Sequence, residues 1–208
     1  GIEELITRTG LSFSSKNFGN IYTEIHRKPE LSDIREELEN VVYEYFQSMT
    51  LPDEPTIYDH LVLSLRQKDF IATFNWDPFL VQAIRRNGTR FKTPRTLFLH
   101  GNVEVGYCKD GHMMGNNGEH CHHCGEPLTR TKLLYPVGEK NYHSDGFISR
   151  QWATMAHLFK HAFMVSVFGY GAPTSDASAI ALLKEAWGSV DERSMEEFEI
   201  IDVREEDD

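Results

Sequence analysis

Long apolar runs are missing from this chain. The longest, Ala162 to Phe168, is far too short to cross a bilayer, and no signal peptide is visible, so neither a membrane span nor secretion is expected. Cysteine is scarce. Its three residues, an odd number lying near histidines, argue against disulfides and for reduced thiols and a metal, as in the cytoplasm. The Asn87-Gly88-Thr89 sequon then reads as accidental. Positive charge is short as well: 21 Lys and Arg face 32 Asp and Glu, a formal net charge of -11. Binding to nucleic-acid phosphates needs the opposite balance, so no direct nucleic-acid partner is expected. Much of the acidic excess sits in the closing stretch SMEEFEIIDVREEDD, and an acidic surface suits a basic peptide without demanding one. Internal repeats and low-complexity linkers are absent too.

What the chain does have is apolar material for a core, with 40% hydrophobic and 12% aromatic residues. Its 208 residues fit one domain with a small inserted module. It opens on Gly1 rather than Met and stops inside an acidic run. A portion of a longer protein is therefore expected, with further domains or a second copy of the chain as candidate partners.

Residues 31 to 49 place Leu31, Ile34, Leu38, Val41, Val42, Tyr45 and Phe46 on one helical face, with Ser32 or Asp33 as N-cap. Pro55 and Thr56 open a second helix, and Asp59 completes a capping box. DFIATFN, residues 69 to 75, reads as a strand buried on both faces. A helix from Phe79 to Arg86 follows, closed by Asn87-Gly88, and TLFLH forms the next buried strand. The stretch from Glu104 to Arg130 changes character, being rich in Gly, Asn, His and Cys and poor in aliphatics. After it, QWATMAHLFKH is helical, AFMVSVFG is a further buried strand, SDASAIALLKEAW is a helix and EFEIIDV a last strand. Strands alternating with helices imply crossover units. The expected fold is α/β, a Rossmann-like parallel sheet flanked by helices, formed by residues 1–103 and 135–208. The expected insert, zinc-ribbon-like, spans residues 104–134.

Within that insert CKDGH and CHHCG supply Cys108, His112, Cys121 and Cys124. A Cys-x-x-Cys-Gly turn brings two thiolates onto one tetrahedral ion, and Cys108-x-x-x-His112 offers a second pair. A Cys₃His zinc site results, filled by protein ligands and hence structural. His120, His122 and His123 compete with His112 for the fourth position. A segment so poor in apolar residues needs such a staple to be ordered.

Ligands of open parallel sheets bind beyond the carboxyl ends of the strands. Three strand ends here carry polar or glycine residues: Asn75-Trp76-Asp77, His100-Gly101, and Gly169-Tyr170-Gly171 leading to Ser175-Asp176. Glycines admit a ligand to the backbone, and a helix N-terminus offers free N–H groups to phosphate or ribose. Each element also has a plainer reading. Asn75 and Asp77 can turn the chain and cap the next helix, His100 can be a satisfied core histidine, and the glycines can form a turn. Trp76 and Tyr170 line a pocket or pack in the core.

The succession TFNWD, LHG, a Cys-bearing insert with CxxCG, and VFGYGAPTSD resembles the sirtuin-like domains over residues 69 to 188. That resemblance implies a Rossmann-type NAD-binding domain with a zinc module. By it His100 is the catalytic histidine, Asn75 positions the nicotinamide ribose and water, and Asp77 is its polar companion. Thr73 opens the Thr-x-Asn-x-Asp motif, and Gly101, Gly169, Tyr170, Gly171 and Asp176 complete the NAD-binding set. An imidazole near neutral pKa suits the base.

Two departures from the family pattern stand out. Its Gly-Ala-Gly phosphate loop is absent, either lost upstream of Gly1 or marking weak NAD binding. The Phe-Gly-Glu segment that clamps peptide in the deacetylases is replaced by LLYPVGEKNYH, where Gly138-Glu139 remains without the Phe. With GYGAPTSD in place of a Gly-Thr-Ser turn, the chain is closer to the sirtuin-like domains of bacterial defence proteins, which hydrolyse NAD. NAD hydrolysis to ADP-ribose and nicotinamide is the expected activity. An NAD-dependent protein-lysine deacylase and a non-catalytic NAD-sensing or assembly module are the alternatives.

Overall fold

A computed structural model of the chain describes residues 1–13, 17–137, 140, 142–173, 176–189, 191 and 197–202. The amino-terminal third is helical. Helix α1 spans Ile2–Arg8, α2 Phe18–His26, and a 3₁₀ turn Pro29–Leu31 leads into α3, Ser32–Gln47. Pro29 presets the backbone of that turn, so Leu31 rather than Ser32 or Asp33 occupies the N-cap of α3. The packed face of α3 keeps Leu31, Ile34, Leu38, Val41, Val42 and Phe46 of the expected stripe and takes Tyr43 in place of Tyr45. Leu38, Val42 and Tyr43 are buried, because the Tyr43 hydroxyl donates to the Val103 carbonyl at 2.8 Å, whereas Tyr45 is 61% exposed.

Helix α4, Ile57–Ser64, begins as its sequence predicts, with the Asp59 carboxylate accepting from the Thr56 N–H at 2.7 Å. The same carboxylate forms an ion pair with Arg86 and accepts from Asn87 Nδ2 at 2.8 Å. It thereby bolts α4 to α5, Phe79–Gly88, around Val62, Leu80 and Ala83. Strand β1, Phe70–Thr73, pairs in parallel with β2, Arg95–Phe98, and α5 is the crossover between them.

The chain then enters an antiparallel three-stranded sheet of β3, Val105–Tyr107, β4, Met114–Asn116, and β5, Thr129–Arg130, with β3 in the middle. Helix α6, Gly146–His161, follows, its N-cap Asp145 accepting from the N–H groups of Phe147 and Ile148. It covers the outer edge of β2. Gln151 accepts from the Phe98 N–H at 3.0 Å, and the Trp152 indole donates to the Leu99 carbonyl at 3.0 Å.

A second parallel pair, β6, Met164–Phe168, and β7, Glu197–Ile201, is joined through α7, Ala177–Trp187. The fold is thus α/β, parallel strands flanked by helices, and among the described residues the parallel strands come as two pairs. The expected burial of β6 does not hold. Met164, Phe168 and Ile200 are exposed, since β6 turns only alternate residues inward and, among the described residues, pairs with β7 alone. No helix among the described residues is long and apolar enough to cross a membrane.

Candidate active site and metal centre

Strand β1 delivers Phe74 and Asn75 at its carboxyl end. The Thr73 hydroxyl accepts from the Asn75 N–H at 3.0 Å, which turns the chain sharply out of the sheet and leaves Asn75 exposed. The Asp77 carboxylate accepts from the Phe79 N–H at 3.1 Å and so helps to start α5. Burial pushes the Asp77 carboxyl above its ordinary range, and that N–H opposes the shift.

The neighbouring strand runs in register, with the Leu99 N–H donating to the Thr73 carbonyl at 2.9 Å. His100, the next residue, is buried. Its Nε2 lies 3.1 Å from the Tyr142 hydroxyl, and the edge of its ring meets Phe74 with centroids 4.8 Å apart. Burial first, and then the Lys140 ammonium, lower the imidazole pKa to about 4, with the Asp176 carboxylate opposing. The ring is therefore neutral at physiological pH, further from a near-neutral pKa than its residue type suggests. The His100 carbonyl accepts from the Leu134 N–H at 3.0 Å.

Gly101 is fixed by the chain that returns beside it. Its φ is +80°, and a Cβ there would stand 2.1 Å from the Lys132 carbonyl oxygen. Asn102 was not singled out by the sequence, yet it ties this region together. It is 1% exposed; its Nδ2 donates to the Asp77 carbonyl at 2.7 Å, and its Oδ1 accepts from the Glu104 N–H at 2.9 Å. Its place directly after His100-Gly101, at the strand end, is the one signal that marks it.

At the end of β6, Gly169 has φ +61° and donates to the Ile201 carbonyl at 2.9 Å. An added Cβ there would meet nothing within 4 Å, so the backbone is open to a ligand. Tyr170 lies flat on Phe74, centroids 4.5 Å apart and planes 10° from parallel, and Gly171 beyond it is exposed. Asp176 is buried at the N-cap of α7 without capping it by its side chain. Its carboxylate forms an ion pair with buried Lys140 and accepts from the Tyr170 hydroxyl at 3.2 Å. Ser175 and the Gly138-Glu139 pair lie outside the described residues.

The structure thus groups His100, Tyr170 and Asp176 around Phe74, Tyr142 and Lys140, while Asn75 and Asp77 stand on the adjoining β1–α5 turn. Trp76 packs against Tyr135 and, edge-on, Phe46, and its Nε1 is buried without a hydrogen-bond partner.

In the insert, Cys108, His112, Cys121 and Cys124 bring four ligand atoms within 4.8 Å of one another. Cys108 Sγ lies 3.6 Å from both His112 Nδ1 and Cys124 Sγ, and Cys121 Sγ lies 3.9 Å from His112 Nδ1. Those separations match the edges of a tetrahedron about 3.8 Å on a side, which follows from metal–sulfur bonds of about 2.3 Å. The group is compatible with a structural zinc ion, and His112, not His120, His122 or His123, supplies its nitrogen. Separately, a cavity of about 400 Å³ opens between α3 and the insert, lined by Glu36, Glu39, Asn40, Arg130 and Asp145 and by none of the strand-end residues.

No protein-family model and no curated protein matches the chain. Among solved structures, it is similar to a mutant Sir2 homologue in complex with ADP-ribose, at 16% identity and a TM-score of 0.44, covering 93% of this chain and 75% of the other. A mutant Sir2 with a deacetylated p53 peptide and acetyl ADP-ribose gives 15% identity and a TM-score of 0.43, over 97% and 79% of the two chains. These are loose likenesses, and the chemistry has to be sought in the chain's own side chains.

Proposed function

We propose that the chain binds NAD across the carboxyl ends of β1, β2 and β6 and cleaves its nicotinamide–ribose bond by hydrolysis. In this reading it is a sirtuin-like domain of the kind found in bacterial defence proteins, built from residues 1–103 and 135–208 with a zinc-stapled insert at 104–134. The observation that carries the reading is His100, a buried, neutral imidazole at a strand end, held 3.1 Å from Tyr142 beside the Asn75 turn. The order TFNWD, LHG, CxxCG and GYGAPTSD supports it. Three reduced cysteines in the metal group fit a cytoplasmic location.

Scission of the nicotinamide bond sends the bonding electrons to the ring nitrogen and leaves positive charge at the ribose C1′. Water then adds at C1′ and releases one proton, giving ADP-ribose and neutral nicotinamide. His100 has the tasks of contacting the ribose hydroxyls and taking up that proton, which its neutral form allows. Asn75 orients the water without adding charge, and Asp77 starts α5 and fixes the turn. Thr73 holds Asn75 by its backbone. Open backbone at Gly169, with exposed Gly171 beyond it, receives the adenosine side, beside the aromatic wall of Tyr170 and Phe74. Asp176, committed to Lys140, acts on the ligand through the shape of its turn.

A deacylase reading draws on the acidic rim of the separate cavity, where Glu36, Glu39 and Asp145 suit a lysine-rich peptide. Nicotinamide release from NAD by the intact parent protein, with no peptide added, separates the two. Hydrolysis predicts ADP-ribose and a loss of about 100-fold or more in His100→Ala and Asn75→Ala. Release only with acyl-peptide, yielding acylated ADP-ribose, would establish the deacylase. Binding without release would mark a sensing module.

A further inference from the structure

Four chain segments close a ring of side-chain contacts around His100. The imidazole meets the Tyr142 hydroxyl at 3.1 Å, and Lys140 stands two residues before Tyr142. Lys140 pairs with Asp176, Asp176 accepts from Tyr170 at 3.2 Å, Tyr170 stacks on Phe74, and Phe74 returns to the His100 ring edge-on. Lys140 and Asp176 are both buried, 8% and 6% exposed. A buried ion pair is seldom worth much as stability, since desolvation offsets most of the attraction, so its presence here calls for another role.

We propose that Lys140 and Asp176 are the positioning residues of this site: their buried ion pair joins the segment after the insert to the turn after β6 and so holds Tyr142 and Tyr170 in place about His100 and Phe74. As a statement about catalysis this rests on the NAD-cleaving reading; as a statement about His100 it does not. A second consequence follows from charge. A lone buried ammonium would oppose the positive charge that develops at C1′, and Asp176 cancels it at a distance. At His100 itself the ammonium outweighs the carboxylate, which favours the neutral imidazole. The titratable groups that face His100 among the described residues are Tyr142, Lys140 and Asp176, with Tyr170 behind Asp176.

The test is the titration of the His100 imidazole by NMR in histidine-labelled full-length protein, assigned with His100→Gln, alongside NAD turnover. Lys140→Met is expected to raise the His100 midpoint by about 1 pH unit, while Lys140→Arg stays near wild type. Lys140→Met is also expected to lower kcat at least tenfold with little change in KM, and Lys140→Arg to restore most of it. If Lys140→Met does not fold, the double variant Lys140→Met/Asp176→Leu removes both charges, a change buried pairs tolerate, and its midpoint is expected above wild type. An unmoved His100 midpoint in Lys140→Met, or in the double variant, overturns the proposal. A shifted midpoint in a protein that releases no nicotinamide leaves the positioning role intact and removes the hydrolase reading instead.

Discussion

The side-chain amide of Asn102 donates to the main-chain carbonyl of Asp77 at 2.7 Å, so the turn after β1 is held by the residue that lies two beyond His100. Together with the Val103 N–H, which donates to the Trp76 carbonyl at 3.1 Å, that bond ties the two strand ends to each other. Asn102→Ala removes it and leaves the Glu104 N–H without its 2.9 Å acceptor. A loss of about 1–3 kcal/mol in denaturant unfolding is expected, with Asn102→Asp no better because the Asp77 carbonyl then faces no donor.

Two glycines of similar backbone separate strain from crowding. Gly101 and Gly118 have φ +80° and +86°, but only Gly101 has a neighbour in the way of a Cβ. Gly118→Ala is expected to cost about 1–2 kcal/mol by thermal unfolding. Gly101→Ala adds a steric clash with the Lys132 carbonyl and is expected to cost clearly more, or to abolish soluble expression. Equal effects would mean that residues 131–132 move aside freely.

Elemental analysis of the purified protein should find about one zinc per chain, bound by Cys108, His112, Cys121 and Cys124. Cys108→Ser and Cys121→Ser are expected to lose it, whereas His122→Ala and His123→Ala keep it. Because few apolar groups hold the insert, chelation should abolish the protection of its amides from exchange while α4 and α5 keep theirs.

Acid should weaken the fold in a window that His100 defines. Its pKa is lowered, so the unfolded chain takes up a proton first as pH falls below about 6.5, and the folded chain follows only near 4. Stability contributed by the neutral ring is complete above that window and is lost across it, on the order of 3 kcal/mol. Denaturant unfolding between pH 7 and 4 should show a flatter profile in His100→Gln than in wild type. Parallel profiles would mean that the imidazole is solvated.

How far these features could be read from the chain depended on whether their causes were local. The Thr56–Asp59 cap and the α5 crossover rest on neighbours a few residues apart, and the sequence displays both. The metal ligands were legible for the same reason, a spacing that brings thiolates together. Tyr43 and Tyr45 show the limit. The helical pattern puts Tyr45 on the apolar face and leaves Tyr43 off it. Distant partners, the Val103 carbonyl 60 residues on, the Asn117 amide and the Arg130 guanidinium, draw Tyr43 in instead. Lys140 is a harder case, because a buried lysine looks like a surface lysine until Asp176, 36 residues later, folds against it. His100 stood out in the sequence by its place at a strand end, but its low pKa comes from burial and from that distant ammonium.

The backbone leaves His100 to enter the insert and comes back to it, where Leu134 N–H meets the His100 carbonyl. The cysteine-bearing insert therefore hangs from the histidine by both of its ends, like a bag from a drawstring. A reagent that strips an ion from Cys108, His112, Cys121 and Cys124 needs no access to the strand ends to disturb His100. Under the proposed NAD cleavage, inactivation by such a reagent would follow the clock of metal release, and saturating NAD would not compete it away.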